Sequence, residues 1–320
     1  MRVPLPAAMM TTSTGVPDAF SPGVFRLFAM RWGSFLLRII SLAVVVLAVS
    51  SCSAIKLGYN QLPDISYWWL DGYVDVREPQ VTRLRDEIAR LHAWHRQTEL
   101  PRYASLLDNL ALLATGPVTP EQSCAALDDM RTRFTALTTR LEPAAVWLAQ
   151  QLTPEQLAHL KQRQADNDVK WRKQWLDGTP AEAAERRIEM SIDRSEDFYG
   201  ALQAPQRAAV RATIAQSRYN PRIAWAERQR RQQDLLQTLA LVRSGGLDDV
   251  QTLAALRGWL DRALNPPDPV HRDNARNTLR EGCEGAARLH NSTTAEQRER
   301  AARRLKAYAR DLRELAGIDG

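Results

Sequence analysis

"VTPEQSCAALDDMRTRFTALTTRLEPAAVWLAQQLTPEQ", residues 118–156, carries two helix-start signals with one helical pattern between them. In each signal a Thr stands at the N-cap position, Pro follows at the first helical position, and Gln lies three residues after the Thr, which is the spacing of a capping box. Between the signals, apolar residues recur three and four positions apart: Leu127, Met130, Phe134, Leu137 and Leu141. The segment therefore predicts a long helix whose apolar side faces other helices, followed by the start of a further helix.

The same signals extend in both directions along the chain. GTPAE at residues 178–182 repeats the helix start, and Pro205, Pro221 and the NPPDP motif at residues 265–269 mark further breaks. Glycine is scarce, and Ala, Leu, Arg, Gln and Glu dominate, which favours helix over most of the chain. We predict an all-α fold, a multi-helix bundle of about ten helices, with no repeat of 20–50 residues beyond the recurring start signal.

An apolar run ahead of this body predicts a signal peptide. Residues 39–49 are apolar except for Ser41, and Arg31 and Arg38 precede or border the run. The run is well short of the roughly 20 apolar residues that a membrane-spanning helix needs, and it suits a signal-peptide core. We therefore expect a lipoprotein signal peptide over residues 30–51.

The run ends in Val49-Ser50-Ser51-Cys52, which resembles the bacterial lipobox. The Cys52 thiol is the nucleophile that would take the diacylglyceryl group, and the small residues before it would admit the peptidase. We expect Cys52 to be the lipidated first residue of the mature protein; the alternative is an ordinary signal peptide that happens to be followed by Cys. By resemblance to lipoprotein sorting, Ser53 rather than Asp after the cysteine implies the outer membrane, with the protein facing the periplasm.

The first 29 residues do not fit a signal peptide. They are rich in Pro, Ser and Thr without a period, which is typical of disorder. Met30 followed by Arg31 begins a signal peptide of ordinary length, so we expect residues 1–29 to be an untranslated extension; the alternative is a long leader. The remaining chain divides into a lipid-anchored aromatic strap over residues 52–76 and a helical periplasmic domain over residues 77–320.

The net charge and the cysteine content bear on possible partners and on a possible disulfide. Removing residues 1–51 takes away four basic residues and one acidic residue, which leaves 39 Lys and Arg against 36 Asp and Glu. A balance this close to neutral does not indicate a nucleic-acid partner. With Cys52 lipidated, Cys124 and Cys283 remain, and an oxidising compartment favours a disulfide between them. The alternative is two buried thiols.

The aromatic block YWWLDGYVD, residues 67–75, is the first candidate binding surface. It could anchor the chain in the headgroup zone of a membrane, or it could bind a ligand with its aspartates as polar partners. We predict instead that it packs on the helical body, with its aromatic rings inward and its aspartates capping. The candidate residues in the block are Tyr67, Trp68, Trp69, Asp71, Tyr73 and Asp75.

With the lipobox, this opening resembles an uncharacterised family of proteobacterial lipoproteins. The matching positions are Tyr59, Asn60, Tyr67, Trp68, Trp69, Asp71 and Tyr73. The resemblance implies the location of the protein and no activity.

Two weaker motifs complete the candidates. LTPEQ at residues 152–156 is similar to the Leu-Thr-X-X-Gln motif of small periplasmic chaperones and metal-stress sensors, although a capping box alone explains its Thr and Gln. His92 and His95 lie on one helix face and are weak candidates for metal ligands; core histidines are the preferred interpretation. The sequence shows no phosphate loop, nucleophile elbow or zinc pattern, so no catalytic residue, metal or cofactor is predicted.

Together these observations predict a lipid-anchored periplasmic protein that acts by binding or scaffolding at the cell envelope. A periplasmic chaperone is the alternative, and an enzyme acting on cell-wall glycan through paired carboxylates is the third possibility. The expected partners are the membrane, through the lipid, and an envelope protein or glycan.

Overall fold

Threonine caps begin three of the helices where the sequence predicts them. Thr119, Thr153 and Thr179 have extended backbone angles, and each hydroxyl accepts a hydrogen bond from the backbone N–H three residues later. In return, the Gln or Glu side chain at that third position accepts a bond from the threonine N–H. These reciprocal bonds satisfy donors that a helix start otherwise leaves unpaired, so the predicted capping boxes are confirmed.

The computed structural model describes residues 53–318, and the regular structure of these residues is helical, without strands. The predicted all-α bundle is therefore confirmed. A π-helical segment, His95–Glu99, joins the third helix to the fourth. In chain order the α-helices are α1 (Ser53–Asn60), α2 (Leu62–Val74), α3 (Glu78–Trp94), α4 (Leu100–Leu113), α5 (Pro120–Gln151), α6 (Pro154–Trp175), α7 (Pro180–Tyr199), α8 (Ala204–Ala215), α9 (Pro221–Ser244), α10 (Asp249–Leu264), α11 (Pro269–Ser292) and α12 (Ala295–Ala316).

Three of the predictions concern residues 1–52. The extension over residues 1–29, the signal peptide over residues 30–51 and the lipidation site Cys52 all lie outside the described residues. Among residues 53–318, none of the helices has the length and apolar character needed to cross a membrane.

Two glutamines tie the start of α3 to the start of α6. The side-chain amides of Gln80 and Gln156 each donate to the side-chain oxygen of the other, at 3.2 and 2.8 Å. The same two amides also reach the backbone carbonyls of Gln151 and Asp75, at 3.1 and 2.9 Å. Both side chains are buried away from water, so these bonds provide the hydrogen-bond partners that the amides need.

The arrangement recurs at the starts of α8 and α12. Gln206 and Gln297 exchange amide bonds of 2.6 and 3.1 Å, and they donate to the carbonyls of Ser292 and Ala201, both at 3.1 Å. In both pairs, the accepting carbonyls lie five residues before a glutamine of the pair. The two glutamine pairs are therefore equivalent.

The helices around the two pairs also correspond. In the first half, α2 packs on α3 and on α6, and α3 packs on α5; in the second half, α7 packs on α8 and on α12, and α8 packs on α11. Buried positions coincide when residues are matched on the glutamines, as for Leu84 with Val210 and for Leu160 with Ala301. The body thus contains two halves that share four corresponding helices in the same order, with α4 between the second and third of them in the first half and α9 and α10 at that place in the second half.

A disulfide links the two halves through their equivalent helices α5 and α11. Cys124 and Cys283 are bonded, with their Cα atoms 5.4 Å apart, and they are separated by 159 positions in the sequence. The structure thus contains the bond that the cysteine count and the predicted oxidising compartment favour. Cys283 is buried, so the bond is also part of the packing between the halves.

The apolar seam predicted on α5 is only partly covered. Leu127, Met130 and Phe134 are exposed, whereas Leu137 and Leu141 are partly buried. The prediction that the whole seam faces other helices is wrong, because the contact between α11 and the first half of α5, which includes the Cys124 bond, leaves the first three side chains uncovered.

Candidate functional site

A cleft of about 590 Å³ opens between α7, α8 and α11, and we call it the α7–α8–α11 cleft. Its walls approach closely because Gly285 of α11 faces Thr213 of α8; a Cβ at Gly285 would lie 2.7 Å from the Thr213 methyl carbon. The inner wall is apolar and is formed by Met190, Phe198, Val210, Ile214, Ala286 and Leu289. A cleft of this size and character is typical of small-molecule sites.

Tyr199, which lines the cleft, forms a neutral hydrogen-bonded pair with the buried His290. The Tyr199 hydroxyl lies 2.9 Å from His290 Nδ1, and His290 Nε2 lies 2.8 Å from the carbonyl oxygen of Gly116. A carbonyl oxygen only accepts, so Nε2 carries the proton and Nδ1 accepts from the tyrosine. Burial lowers the pKa of His290 and raises the pKa of Tyr199, so both groups are uncharged at neutral pH.

One side of the cleft mouth is held by an internal charge network. Arg187 Nη2 donates to the Ser217 hydroxyl at 3.0 Å, and that hydroxyl donates to Glu281 at 2.9 Å. The Arg187 guanidinium also lies 4.7 Å from the centre of the Tyr219 ring. Burial lowers the pKa of Arg187, although an arginine remains protonated at neutral pH. Because Arg187 and Glu281 satisfy each other through Ser217, neither offers an uncompensated charge to a ligand.

Arg194 is a second cation of the cleft, and it lies outside the network of Arg187, Ser217 and Glu281. It lines the same cleft from α7, its side chain is exposed, and it makes no hydrogen bond or ion pair with another described residue. An arginine guanidinium binds carboxylate and phosphate oxygens with two parallel hydrogen bonds. The α7–α8–α11 cleft therefore combines an apolar interior with one available cation at its rim.

Aromatic rings extend the rim beyond the cleft. Trp175 and Tyr219 line the mouth with their rings 6.5 Å apart. Behind them, Trp171 lies 6.5 Å from Trp175 and stacks on Trp225 at 5.3 Å. The row gives the mouth an apolar border on the side of α6 and α9.

The residues that the sequence predicts for binding lie elsewhere, on α1, α2 and α3. Tyr59 is buried, its hydroxyl lies 3.0 Å from His95 Nδ1, and its backbone carbonyl lies 3.0 Å from His92 Nε2. Asn60 accepts a hydrogen bond from Arg96. Burial is the main cause that lowers the pKa of both histidines.

Tyr59 forms a hydrogen bond with one ring nitrogen of each histidine. This agrees with the preferred interpretation that the two are core histidines rather than metal ligands. Among residues 53–318, no group of three or more His, Cys, Asp or Glu side chains is placed to hold a metal ion.

The aromatic block divides between two surfaces. Tyr73 packs against a hydrophobic cluster around Val74 and accepts a bond from Asn167 at 2.8 Å, and Tyr67 lies under the Arg85 guanidinium at 3.9 Å. Trp68 and Trp69, in contrast, are 65% and 63% exposed. The prediction that all rings of the block point inward is wrong, because the body covers the tyrosines but leaves Trp68 and most of Trp69 exposed; the Trp69 ring packs on the Tyr73 ring, with 4.7 Å between their centres.

The aspartates of the aromatic block cap the C-terminal end of α2, as predicted. Asp71 Oδ1 accepts a bond from the Val76 N–H at 2.9 Å. Asp75 adopts a left-handed conformation with φ 54° and pairs with Arg77 at 3.0 Å.

Sequence reasoning missed the α7–α8–α11 cleft. The available signal was on α7, where Arg187, Ser191, Arg194 and Phe198 recur three and four positions apart and so share one helix face. The spacing does not say that α11, some 80 residues later, leaves that face open.

A family model described as "Family of unknown function (DUF6279)" matches residues 72–256, which is more than half of the chain. The match runs from the end of α2 into α10 and contains two walls of the cleft, α7 and α8. No curated protein and no solved structure matches the chain.

Proposed function

The chain belongs to this DUF6279 family of unknown function, and we propose that it is a lipid-anchored binding protein on the periplasmic side of a bacterial outer membrane. In this proposal the ligand site is the α7–α8–α11 cleft. The ligand is an amphiphile with one apolar chain and an anionic head, such as a fatty acid or a lysophospholipid.

The observation that carries the proposal is the pairing of an apolar cleft with Arg194 at its rim. An apolar chain that enters the cleft gains about 0.8 kcal/mol for each methylene removed from water. The uncharged Tyr199, which lines the cleft and is bonded to His290, places no charge against such a chain. An anionic head that stays at the rim can pair with Arg194 without leaving water completely.

Binding fits the cleft better than catalysis does. Glu281 is the one acidic residue among the described residues that line the cleft, and it is held by Ser217 and by the Arg218 N–H. Glycan hydrolysis uses two apposed carboxylates, about 5–9.5 Å apart. The polar groups of the cleft thus stabilise its walls, and the described residues that line it do not include the second carboxylate that such a reaction needs.

The LTPEQ motif gives no support for a chaperone. Thr153 caps α6, and Gln156 bonds to Gln80 across the helix starts. Both residues that suggested the similarity therefore have a local structural role.

The anchoring part of the proposal rests on the sequence. The apolar run, the lipobox-like end and Cys52 stand in the order and spacing of a lipoprotein leader. Acylation would give the protein a stable membrane attachment, since several acyl chains bury many methylenes in the bilayer.

Photocrosslinking in membranes tests the ligand site. A fatty acid and a lysophospholipid, each with a diazirine in the chain, are added to membranes that contain the full-length protein, and crosslinked peptides are identified by mass spectrometry. We expect crosslinks on the inner walls of α7, α8 and α11. The choice between the two probes shows which amphiphile is preferred.

Two substitutions make the test specific. Gly282 lines the cleft and has open space where a side chain would begin, so Gly282→Leu fills the cleft and should abolish the crosslinks. Gly72→Leu, at another open helical glycine away from the cleft, is the matched control. Arg194→Gln should weaken binding about tenfold, the value of one charge-assisted hydrogen bond, and Arg194→Lys should weaken it less. Crosslinks that persist in Gly282→Leu would contradict the proposal.

A further inference from the structure

The helices α1 and α2 expose an apolar surface on the side away from the body. Its members are Leu57, Leu62, Ile65, Trp68 and Trp69, and we call it the α1–α2 outer face. Leu57 is 65% exposed, as much as the two tryptophans. Soluble proteins scatter single apolar residues over their surfaces, but a cluster with two adjacent tryptophans marks an interaction site.

The outer face is continuous because α1 and α2 run on from each other. The Gln61 N–H donates to the Leu57 carbonyl at 3.2 Å, and the Ile65 N–H donates to the Gln61 carbonyl at 3.0 Å, so helical geometry passes through the junction. At about 100° per residue, the five residues of the outer face fall within an arc of about 140°. Tyr59 and Val74 lie on the opposite side and are buried.

The outer face carries no charge. Among residues 55–74, Gly58, Gln61 and Gly72 are the other residues within its arc. The charged residues of the two helices, Lys56, Asp64 and Asp71, fall outside it. A helix that is apolar on two sides normally has both sides covered, and the body covers only one side here.

We propose that the α1–α2 outer face docks on the lipid bilayer, with Trp68 and Trp69 in the headgroup region. The chain outside the described helices supports this partner, because α1 begins at Ser53, directly after the cysteine predicted to carry the lipid. A lipid at that point holds the outer face against a membrane, and tryptophan favours the membrane–water interface. The anchor and the outer face together lay α1 and α2 flat on the bilayer and fix the orientation of the body.

Apolar contacts, rather than attraction between charges, hold the outer face to the bilayer in this proposal. Residues 53–76 contain Lys56 as the one basic residue and Asp64, Asp71 and Asp75 as acidic residues, which gives a net charge of −2. Anionic lipids would repel such a segment, so neutral phosphatidylcholine suffices as the membrane surface and salt has little effect.

Depth-dependent fluorescence quenching tests the docking. The full-length lipoprotein is reconstituted into phosphatidylcholine vesicles whose acyl chains carry bromine near the headgroup, and tryptophan emission is compared with that in unbrominated vesicles. We expect most of the quenched emission to disappear in Trp68→Phe with Trp69→Phe. Trp147→Phe with Trp259→Phe is the matched control and should leave the quenching unchanged, because these tryptophans lie on α5 and α10, in neither the outer face nor the lining of the α7–α8–α11 cleft.

Two further measurements make the outcome decisive. Quenching by brominated chains should persist from low to molar salt. The mass of the N-terminal peptide from the same sample shows whether Cys52 is acylated, so a missing anchor is distinguished from an outer face that does not touch lipid. Quenching that is the same in the Trp68–Trp69 double variant and in the wild type would overturn the proposal and leave a protein partner to cover the outer face.

Discussion

Gln156 and Gln122 occupy the same position in the two TPEQ motifs, and replacing each by alanine measures what the cross-helix bonds contribute. Both side chains accept a bond from the N–H of their capping threonine. Gln122 is exposed and has that cap alone as its described partner, whereas Gln156 is 1% exposed and makes three more bonds, two with Gln80 and one with Asp75. The two substitutions therefore differ in the bonds that connect α3 to α6.

The structure sets the expected magnitudes. Gln122→Ala should lower the free energy of unfolding by about 0.5 kcal/mol, because water replaces the lost partner of the Thr119 N–H. Gln156→Ala should lower it by about 3–5 kcal/mol, because the buried Gln80 amide loses two of its hydrogen bonds, keeping those to Gln151 and Arg77, and the Asp75 carbonyl loses its side-chain partner. A change of 1 kcal/mol shifts the melting temperature of a protein of this size by about 2–4 °C.

Thermal unfolding followed by far-ultraviolet circular dichroism compares the variants under one set of conditions. We expect a fall of roughly 6–20 °C for Gln156→Ala and of at most about 2 °C for Gln122→Ala. The double substitution Gln80→Ala with Gln156→Ala should cost less than the sum of the two single substitutions, since each single change already breaks the shared bonds. Equal effects of Gln156→Ala and Gln122→Ala would refute the argument that the glutamine pair holds the first half together.

Three further predictions follow from the cysteines and from a buried histidine. Cys124→Ser with Cys283→Ser should lower stability by at most about 5 kcal/mol, the chain-entropy value for a loop of this length, and chemical denaturation should show the loss. Stability should fall as the pH drops below 6.5, the ordinary pKa of histidine, because burial lowers the pKa of His290 in the folded state and the unfolded chain then binds the proton more readily. His290→Gln should reduce the change in urea midpoints between pH 7.5 and 5.5, with His92 and His95 accounting for the rest, and an unchanged pH dependence would argue against this. Cys52→Ala should leave the precursor uncleaved, and a chain starting at Met30 should reach the membrane fraction normally; mass spectrometry and fractionation check both, and an unmodified Cys52 in mature protein would refute the lipidation.

Helix starts were predictable because their chemistry is local. Thr153, Pro154 and Gln156 lie within four positions, and their bonds satisfy the first turn of their own helix. The partner of Gln156 lies 76 positions away, so no local pattern announces it. The equivalent signal in the second half, STTAEQ at residues 292–297, lacks the proline, and this difference conceals the correspondence between the halves.

Periodicity identified apolar helix faces but not what covers them. Leu127 and Phe134 have the same spacing as buried seams, yet they face solvent in the structure. The prediction that Trp68 and Trp69 are buried failed for the same reason. Aromatic residues are usually buried, but the sequence does not show which face of α2 contacts the body. The α7–α8–α11 cleft depends on the approach of Gly285 to Thr213, a tertiary contact that neither helix reveals alone.

Native mass spectrometry of the full-length protein, extracted from membranes with a mild detergent, tests the central claim most directly. If the α7–α8–α11 cleft binds an anionic amphiphile, the wild-type protein carries an additional mass that corresponds to one single-chain lipid, and Gly282→Leu lacks it while Gly72→Leu retains it. Wild-type protein without any bound lipid, or the same bound mass in Gly282→Leu, would contradict the account.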